Sequence, residues 1–187
     1  MFKQTQIFSR RLILRKPDIS YKDYLYTCHT SEEIKGEYLS TEKVSINEFE
    51  QRFSSDYFWN ERSNTYVILL KDTTDPVGVI RYWVTNHNRD VAAISVLISD
   101  KNIRSRGFGT EAQKSLIISL FSNLNITAVE MYTDIDNLPQ QKCLNKLGFD
   151  CADSVNYQDK DKLRTGLLYR LCRENYNSLA VYRFHYE

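Results

Sequence analysis

The sequence lacks the cysteine and histidine patterns that mark metal-binding, redox and disulfide-rich proteins. Its four cysteines are far apart and form no C-x-x-C pair, which argues against a zinc ribbon or a thioredoxin-type motif. They are Cys28, Cys143, Cys151 and Cys172. The three histidines, His29, His87 and His185, stand near no cysteine or carboxylate at a ligand spacing. We therefore expect scattered reduced thiols and no metal site.

An excess of one charge and long apolar runs are also absent. The 25 Lys and Arg residues nearly balance the 24 Asp and Glu residues, so the electrostatic footprint of a nucleic-acid-binding protein is missing. The longest apolar runs, 66–70 and 115–121, are far shorter than the roughly 20 residues that span a bilayer. The start, MFKQTQIFSRRLILR, lacks the apolar core and cleavage site of a signal peptide. We expect a cytoplasmic protein whose partner is neither nucleic acid nor a membrane.

Prolines and glycines are few, three and six, and no repeat is present, so the order of elements must be predicted from periodicity. A chain of 187 residues, 42% of them hydrophobic, has material for one core, which predicts a single domain over 1–187. The first predicted elements are a strand at 11–15 and a helical stretch from Pro17 through Cys28.

A second helix is predicted after Ser45, which has the spacing of a capping box with Glu48. The 3- and 4-residue spacing of its apolar side chains predicts one buried face. That face comprises Ile46, Phe49, Phe53 and Tyr57.

The period then changes to that of β-strands joined by short turns, KDTTDP and NHNRD, which predicts an antiparallel meander. Its strands are expected at 65–71, 77–84 and 91–98. A helix at 109–122, a strand at 128–133, a helix at 138–147 and a strand from Phe149 complete the prediction. Helices mixed with a mostly antiparallel sheet indicate an α/β (α+β) fold.

The loop between the strand that ends at Ile98 and the helix that opens after Gly109 has the chemistry of an anion site. Gly107 and Gly109 allow the backbone to approach a ligand and to aim successive N–H groups at it. The N-terminus of the following helix adds unsatisfied N–H groups and a positive dipole end. Arg104 and Arg106 contribute charge, so the loop favours a phosphate over a merely structural turn.

The same loop resembles that of the GCN5-related N-acetyltransferases (GNAT family). Arg104, Gly107 and Gly109 reproduce its [Q/R]-x-x-G-x-[G/A] pattern. The longer ISDKNIRSRGFGTEA is similar to the branch that resembles ribosomal-protein N-acetyltransferases, and NLPQQKCLNKLGF resembles the family's second signature. The predicted order of elements agrees over essentially the whole chain.

The resemblance implies a GNAT-like fold, a mixed, mostly antiparallel and splayed sheet flanked by helices. Acetyl-CoA, the implied co-substrate, would lie between the strands that end near Ile98 and Thr133. Its pyrophosphate would lie on the loop residues Arg104, Ser105, Arg106, Gly107, Phe108, Gly109 and Thr110. Its pantetheine arm would pair with the strand edge at Val96, Leu97 and Ile98, with Asn137 on the other flank. No metal is implied.

The chain departs from the family where catalytic residues are expected. The general-base carboxylate is replaced by Ala92 and Ala93, and the general-acid Tyr by Leu144. The Ser that some relatives use is Gln140.

Two weak candidates for the missing base lie on the strand that enters the cofactor cleft. Glu130, Tyr132, Asp134 and Asp136 alternate there on one face. Of these, Asp134 and then Tyr132 are the candidates, although such a set is often a solvated face.

The function implied is transfer of an acetyl group to a primary amine of a small molecule or a protein N-terminus. Without a base, an α-amino or amino-sugar nitrogen would react in preference to a lysine side chain or a polyamine, because less free energy is needed to deprotonate it. Two alternatives stay open: N-acylation of an amino sugar or sugar nucleotide, and a non-catalytic acyl-CoA sensor. A homodimer is also left open.

Overall fold

A computed structural model describes residues 4–85, 90–159 and 162–183 of the protein. Eight strands form one sheet in the order β1-β2-β3-β4-β5-β6-β8-β7. The strands are β1 (Gln6–Phe8), β2 (Leu12–Arg15), β3 (Ser63–Leu70), β4 (Pro76–Val84), β5 (Val91–Ile98), β6 (Ala128–Asp134), β7 (Asp150–Asp159) and β8 (Lys162–Cys172). The helices are α1 (Lys22–Thr30), α2 (Glu32–Lys35), α3 (Ile46–Phe53), α4 (Phe108–Asn123), α5 (Leu138–Lys146) and α6 (Arg173–Ser178).

The sheet is antiparallel except where β5 meets β6. These two strands are parallel and pair only at 91–93 with 128–130. Beyond that point β5 stays paired with β4 as far as Ile98, and β6 stays paired with β8 as far as Asp134. The two halves of the sheet therefore separate between the ends of β5 and β6. The prediction of a mixed, mostly antiparallel, open sheet flanked by helices is confirmed.

Each face of the sheet carries its own apolar cluster. On one face, α4 buries Ala112, Leu116, Ile117 and Leu120 against the strands, and α5 adds Leu144. On the other face, a smaller cluster joins α1 and α3 to β2, β3 and β4. The sheet thus separates the layer that contains α4 and α5 from the layer that contains α1 and α3.

The helix predicted after Ser45 begins as expected but ends early. Ser45 and Glu48 form the capping box in both directions, which confirms that prediction. The buried face is only partly correct, because α3 ends at Phe53 and Tyr57 lies beyond it. Phe49 is fully buried, whereas Ile46 in the first turn is 39% exposed. The Ser55 hydroxyl bonds to the carbonyl of Arg52, and the chain turns before a further helical turn can form.

Several boundaries also differ from the predictions. The hairpin of β1 and β2 has an additional strand at Gln6–Phe8 that was not predicted. The single strand expected from Phe149 is a long hairpin, β7 with β8, at the edge of the sheet. The predicted turn NHNRD lies largely outside the described residues, as do His87 and His185.

Candidate active site

The end of β5 forms one wall of the opening in the sheet. Val96, Leu97 and Ile98 pair with β4 on one side, and they have no strand partner on the side of β6. The close approach of β4 to this segment depends on Gly78, because a Cβ there would lie 2.4 Å from the carbonyl oxygen of Leu97. An unpaired edge of this kind can bind an extended, amide-containing ligand arm.

The loop after β5 contains two residues in the left-handed region. Asp100 caps a 3₁₀ turn at Lys101–Ile103, and then Ser105 has φ 61° and Gly107 has φ 83°. Gly107 is the N-cap of α4 and supplies no side-chain cap. Because such turns and helix N-termini present unsatisfied N–H groups, the loop 104–110 has the geometry of an anion cradle.

Arg104 holds this loop together from within. Its Nε donates to the carbonyl of Ile98 at 2.9 Å, and its Nη2 donates to the carbonyl of Ile34, within the short helix α2, at 2.8 Å. The guanidinium therefore fastens the loop to the end of β5 and to α2. The expectation that the charge of Arg104 contacts a phosphate stays a prediction. Its two bonds to backbone carbonyls favour a role in stabilising the shape of the loop.

Arg11, which sequence reasoning missed, lies beside the cradle. It comes from the turn between β1 and β2, and its Nη1 donates to the carbonyl of Arg106 at 3.2 Å. Its guanidinium stacks 4.1 Å above the ring of Phe108 and pairs with Glu111 at 2.6 Å. The only sequence signal was the basic pair in SRRLILR, whose location in space only the fold could give.

Glu111 completes this contact between the hairpin and α4. Its carboxylate accepts hydrogen bonds from the Ser9 hydroxyl and from the backbone N–H and Nε of Arg11. Burial opposes ionisation, but these bonds outweigh it and hold the pKa of Glu111 below its ordinary value.

A groove of about 980 Å³ opens at the cradle and follows the outer face of α4. Its lining includes the basic residues Arg10, Arg106, Lys114 and Lys146, and among the described residues that line it the carboxylate of Glu111 is paired with Arg11. Basic side chains such as Arg106 and Lys146 favour an anionic ligand next to Gly107 and Thr110.

Asn137 and Gln140 line the start of α5. The side chain of Asn137 accepts from the Gln140 backbone N–H at 3.3 Å and so caps the helix. The Gln140 carboxamide donates to Gln113 Oε1 at 2.8 Å and to Met131 Sδ at 2.9 Å. Leu144 is fully buried.

Ala92 and Ala93 occupy the positions at which the family has its general-base carboxylate. Both are fully buried, and both lie in the short stretch of β5 that pairs with β6.

Asp134, the first candidate base, is buried and saturated with donors. Its carboxylate accepts from Arg164 Nε at 2.7 Å, from the Tyr157 hydroxyl at 2.9 Å and from the Asp136 backbone N–H at 2.8 Å. The hydrogen bond from Arg164 is the main reason that its pKa lies below the ordinary value. A carboxylate in this state is a poor proton acceptor near neutral pH, so its contacts favour anchoring over catalysis.

Tyr132 and Glu130, on the same face of β6, differ from each other in environment. Tyr132 is 57% exposed and points away from the layer of α4 and α5. Glu130 is buried and pairs with Arg170 through its Oε1. The candidate roles of Asp134 and Tyr132 stay predictions.

The chain segment after α2 crosses the opening on the face opposite α4. The Tyr38 hydroxyl donates to the carbonyl of Asp136 at 3.2 Å, and Arg164 donates to the carbonyl of Glu37 at 3.3 Å. On that face Tyr24 of α1 also reaches Ser99, directly after β5, with 2.6 Å between the two hydroxyl oxygens. The opening therefore has the cradle on one face and a partly covered recess on the other.

Within 4–85, 90–159 and 162–183, no group of three His, Cys, Asp or Glu side chains is arranged to hold a metal ion. Over the same ranges, no helix has both the length and the apolarity to cross a membrane.

Comparison with known proteins agrees with this geometry. The model of the acetyltransferase (GNAT) domain matches residues 11–150, most of the chain and all of the cradle. The chain belongs to the GNAT acetyltransferase family. It is therefore an acetyl-CoA-dependent acyltransferase, as the resemblance of its loop implied.

Individual relatives of this GNAT protein are distant in sequence. It is 24% identical over 160 residues to the "Uncharacterized N-acetyltransferase p20" of Bacillus licheniformis, covering 84% of this chain and 89% of that protein. Aminoglycoside acetyltransferase AAC(6')-Ib in complex with coenzyme A has a TM-score of 0.73 at 18% identity, over 89% of this chain and 97% of that one. A candidate ribosomal-protein-serine acetyltransferase from Vibrio cholerae has a TM-score of 0.69 at 22% identity, over 92% and 99%.

Proposed function

We propose that this protein transfers the acetyl group of acetyl-CoA to a primary amine of a small molecule or of a protein N-terminus. The observation that carries the proposal is the separation of β5 and β6 directly beside the cradle at 104–110. An extended thioester arm fits along Val96, Leu97 and Ile98, and its pyrophosphate fits on the backbone N–H groups of the cradle. The cation-lined groove along α4 is then available to the nucleotide end.

The acceptor would approach from the opposite face, through the recess below Tyr38. Its nitrogen attacks the thioester carbonyl carbon, and a backbone N–H of 96–98 would hold the oxygen that becomes negative. This assignment supports the remaining cofactor contacts as well, with Asn137 on the flank of α5. Neighbours with this fold include AAC(6')-Ib in complex with ribostamycin and coenzyme A, which makes an amine on a sugar a reasonable acceptor class.

Because no general base is identified, the pKa of the acceptor amine should determine how readily it reacts. An alkylammonium with a pKa near 10.4 costs about 4.6 kcal/mol to deprotonate at pH 7, whereas an α-ammonium near 8 costs about 1.4 kcal/mol. Ala92 and Ala93 offer no carboxylate to offset the larger cost. We propose that α-amino and amino-sugar nitrogens are preferred to lysine side chains and polyamines.

The experiment is a thiol-release assay with acetyl-CoA and size-matched amines of graded pKa. Higher kcat/KM for the less basic amines is expected. A polyamine or a lysine side chain as the best acceptor would contradict the preference. Tight binding of acetyl-CoA without release for any amine would favour the sensor instead.

We also propose a cytoplasmic location, supported by four cysteines that form no disulfide.

A further inference from the structure

Thr133 on β6 carries a buried hydroxyl that bonds to nothing in the described structure. Its side-chain oxygen is inaccessible and has no hydrogen-bond partner among residues 4–85, 90–159 and 162–183. Thr133 is only 7% exposed. Because burial of an unsatisfied hydroxyl is costly, such a group in a folded protein points to a partner that binds there.

Thr133 lies where the opening in the sheet begins. It is three residues beyond Glu130, the last residue of β6 that pairs with β5. Side chains alternate along a strand, so Thr133 shares a face with Met131. Met131 accepts a hydrogen bond from Gln140 of α5, which identifies this face as the one covered by α5. Thr133 therefore lies on the α5 side of β6, in the part of the strand that borders the opening, and its hydroxyl is enclosed there.

Three other side chains of this region, Leu144, Gln140 and Tyr132, are poorly placed to donate to a sulfur atom. Leu144 replaces the family's Tyr and has no donor. Gln140 replaces the Ser, but its two amide hydrogens are engaged by Gln113 and Met131. Tyr132 is on the opposite face of β6. Among the described side chains of β6, that of Thr133 carries a hydroxyl that is buried and uncommitted.

We propose that the Thr133 hydroxyl donates a hydrogen bond to the sulfur of acetyl-CoA and stabilises it as the leaving group. The inference rests on the proposed function. The amine nitrogen forms the C–N bond, the C–S bond then breaks, and its electron pair stays on sulfur. The proton lost by the attacking amine finally neutralises the thiolate, directly or through water, so the products are the amide and coenzyme A. Thr133 keeps its own proton throughout.

The test compares Thr133→Val, which removes the hydroxyl at nearly constant volume, with Thr133→Ser, which keeps it. A hydrogen bond to a developing charge is worth about a 10- to 100-fold change in rate. Thr133→Val is expected to lower kcat by that factor while the Kd for acetyl-CoA changes less than about threefold. Thr133→Ser is expected to stay within about threefold of the wild type in kcat.

A second measurement separates this role from a structural one. The thiolate absorbance of bound coenzyme A, followed against pH, reports the thiol pKa in the site. The pKa is expected to be about one unit lower in the wild type than in Thr133→Val, because only the wild type donates to the thiolate. Without ligand, Thr133→Val should melt at the same temperature as the wild type or about 2–4 °C higher, since it buries no unpaired hydroxyl.

The outcomes identify which proposal fails. Unchanged kcat in a folded Thr133→Val, or an equal thiol pKa in both proteins, would overturn the role of Thr133. A loss confined to the Kd for acetyl-CoA would also overturn it. If the wild type releases no thiol with any amine, the proposed function fails, and the thiol pKa still tests Thr133 because it needs only bound coenzyme A.

Discussion

Asp134 illustrates how one residue can have the right position for catalysis and the wrong environment. Sequence alternation placed it in the cofactor cleft, and the structure surrounds its carboxylate with Arg164, Tyr157 and the Asp136 backbone N–H. These donors connect β6 to β7 and β8. These contacts favour a role in stabilising the ends of three strands, and the role of Asp134 as a base stays a prediction.

Asp134→Asn should therefore destabilise the fold. Loss of the buried charge removes the carboxylate that accepts hydrogen bonds from Arg164 and Tyr157, at a cost on the order of 3 kcal/mol at pH 7. The pKa of Asp134 is lowered in the folded state, so its contribution is present above the ordinary value of 3.8 and is lost as the pH falls through the folded value. The two proteins should thus converge in stability as the pH falls below the folded-state pKa of Asp134, as measured by denaturant unfolding.

The control is Asp136→Asn, two residues away and exposed, which should cost less than about 0.5 kcal/mol. An Asp134→Asn variant that keeps its stability but loses two orders of magnitude in kcat/KM would instead restore Asp134 as the base.

Gly107 is the second residue whose role can be isolated. Its φ of 83° favours glycine, but a Cβ there meets only Arg11 Nη2 at 3.5 Å, so the fold has room for a side chain. Asp and Asn both tolerate a left-handed backbone better than other residues. Gly107→Asp should weaken acetyl-CoA binding about 100-fold or more, and the uncharged Gly107→Asn about 10-fold.

Calorimetric titration with acetyl-CoA and circular dichroism of both Gly107 variants provide the measurement. Wild-type affinity in a folded Gly107→Asp protein would show that the pyrophosphate does not lie on this loop.

At the scale of elements, the loop before α4 contains two arginines whose side chains make different contacts. Arg104 bonds to two carbonyls on β5 and α2, which requires a planar guanidinium with several donors. Arg106 is exposed; its carbonyl accepts a hydrogen bond from Arg11, and its guanidinium lies 6.0 Å from the centroid of the Phe108 ring. The shape of the loop thus depends on Arg104, whereas Arg106 contributes charge at its surface.

Arg104→Lys keeps the charge but cannot make both bonds, so acetyl-CoA affinity should fall about 10-fold at every salt concentration. Arg106→Gln should lower the affinity mainly at low salt, because exposed charges are screened within about 10 Å at 0.1 M. Titrations at several ionic strengths distinguish the two. Equal salt dependence for both variants would mean that Arg104 acts on phosphate by charge.

For the whole molecule, the contact between β5 and β6 is where the two halves of the sheet meet. Only three residue pairs join β5 to β6, so each half of the sheet is held mainly by its own strands and helices. A ligand that lies in the opening and on the cradle should tie the halves together.

Acetyl-CoA at 100 times its Kd should stabilise the protein by about 2.7 kcal/mol and raise the Tm by roughly 5–10 °C. Hydrogen exchange should slow most at 94–98 and 104–110. Protection confined to the α1 and α3 layer would contradict this location.

Local patterns in the sequence predicted a large part of this architecture. The Ser45 and Glu48 capping box, the meander of β3 to β5 and the glycine loop before α4 each depend on residues a few positions apart, and each element formed. The prediction was wrong where the apolar spacing continued beyond the end of the helix, because α3 ends at Phe53 and Tyr57 lies outside it. It also missed β1, a three-residue strand too short to show a period.

The sequence by itself determined the family, the fold and the position of the glycine-containing loop before α4, because each rests on signals within a short stretch of chain. The tertiary structure alone decided what the charged and polar side chains do. Arg11 meets Glu111 across 100 residues, and Arg104 reaches Ile34 across 70. Side-chain roles depend on distance, burial and competing donors, which appear only once the sheet has brought remote segments together.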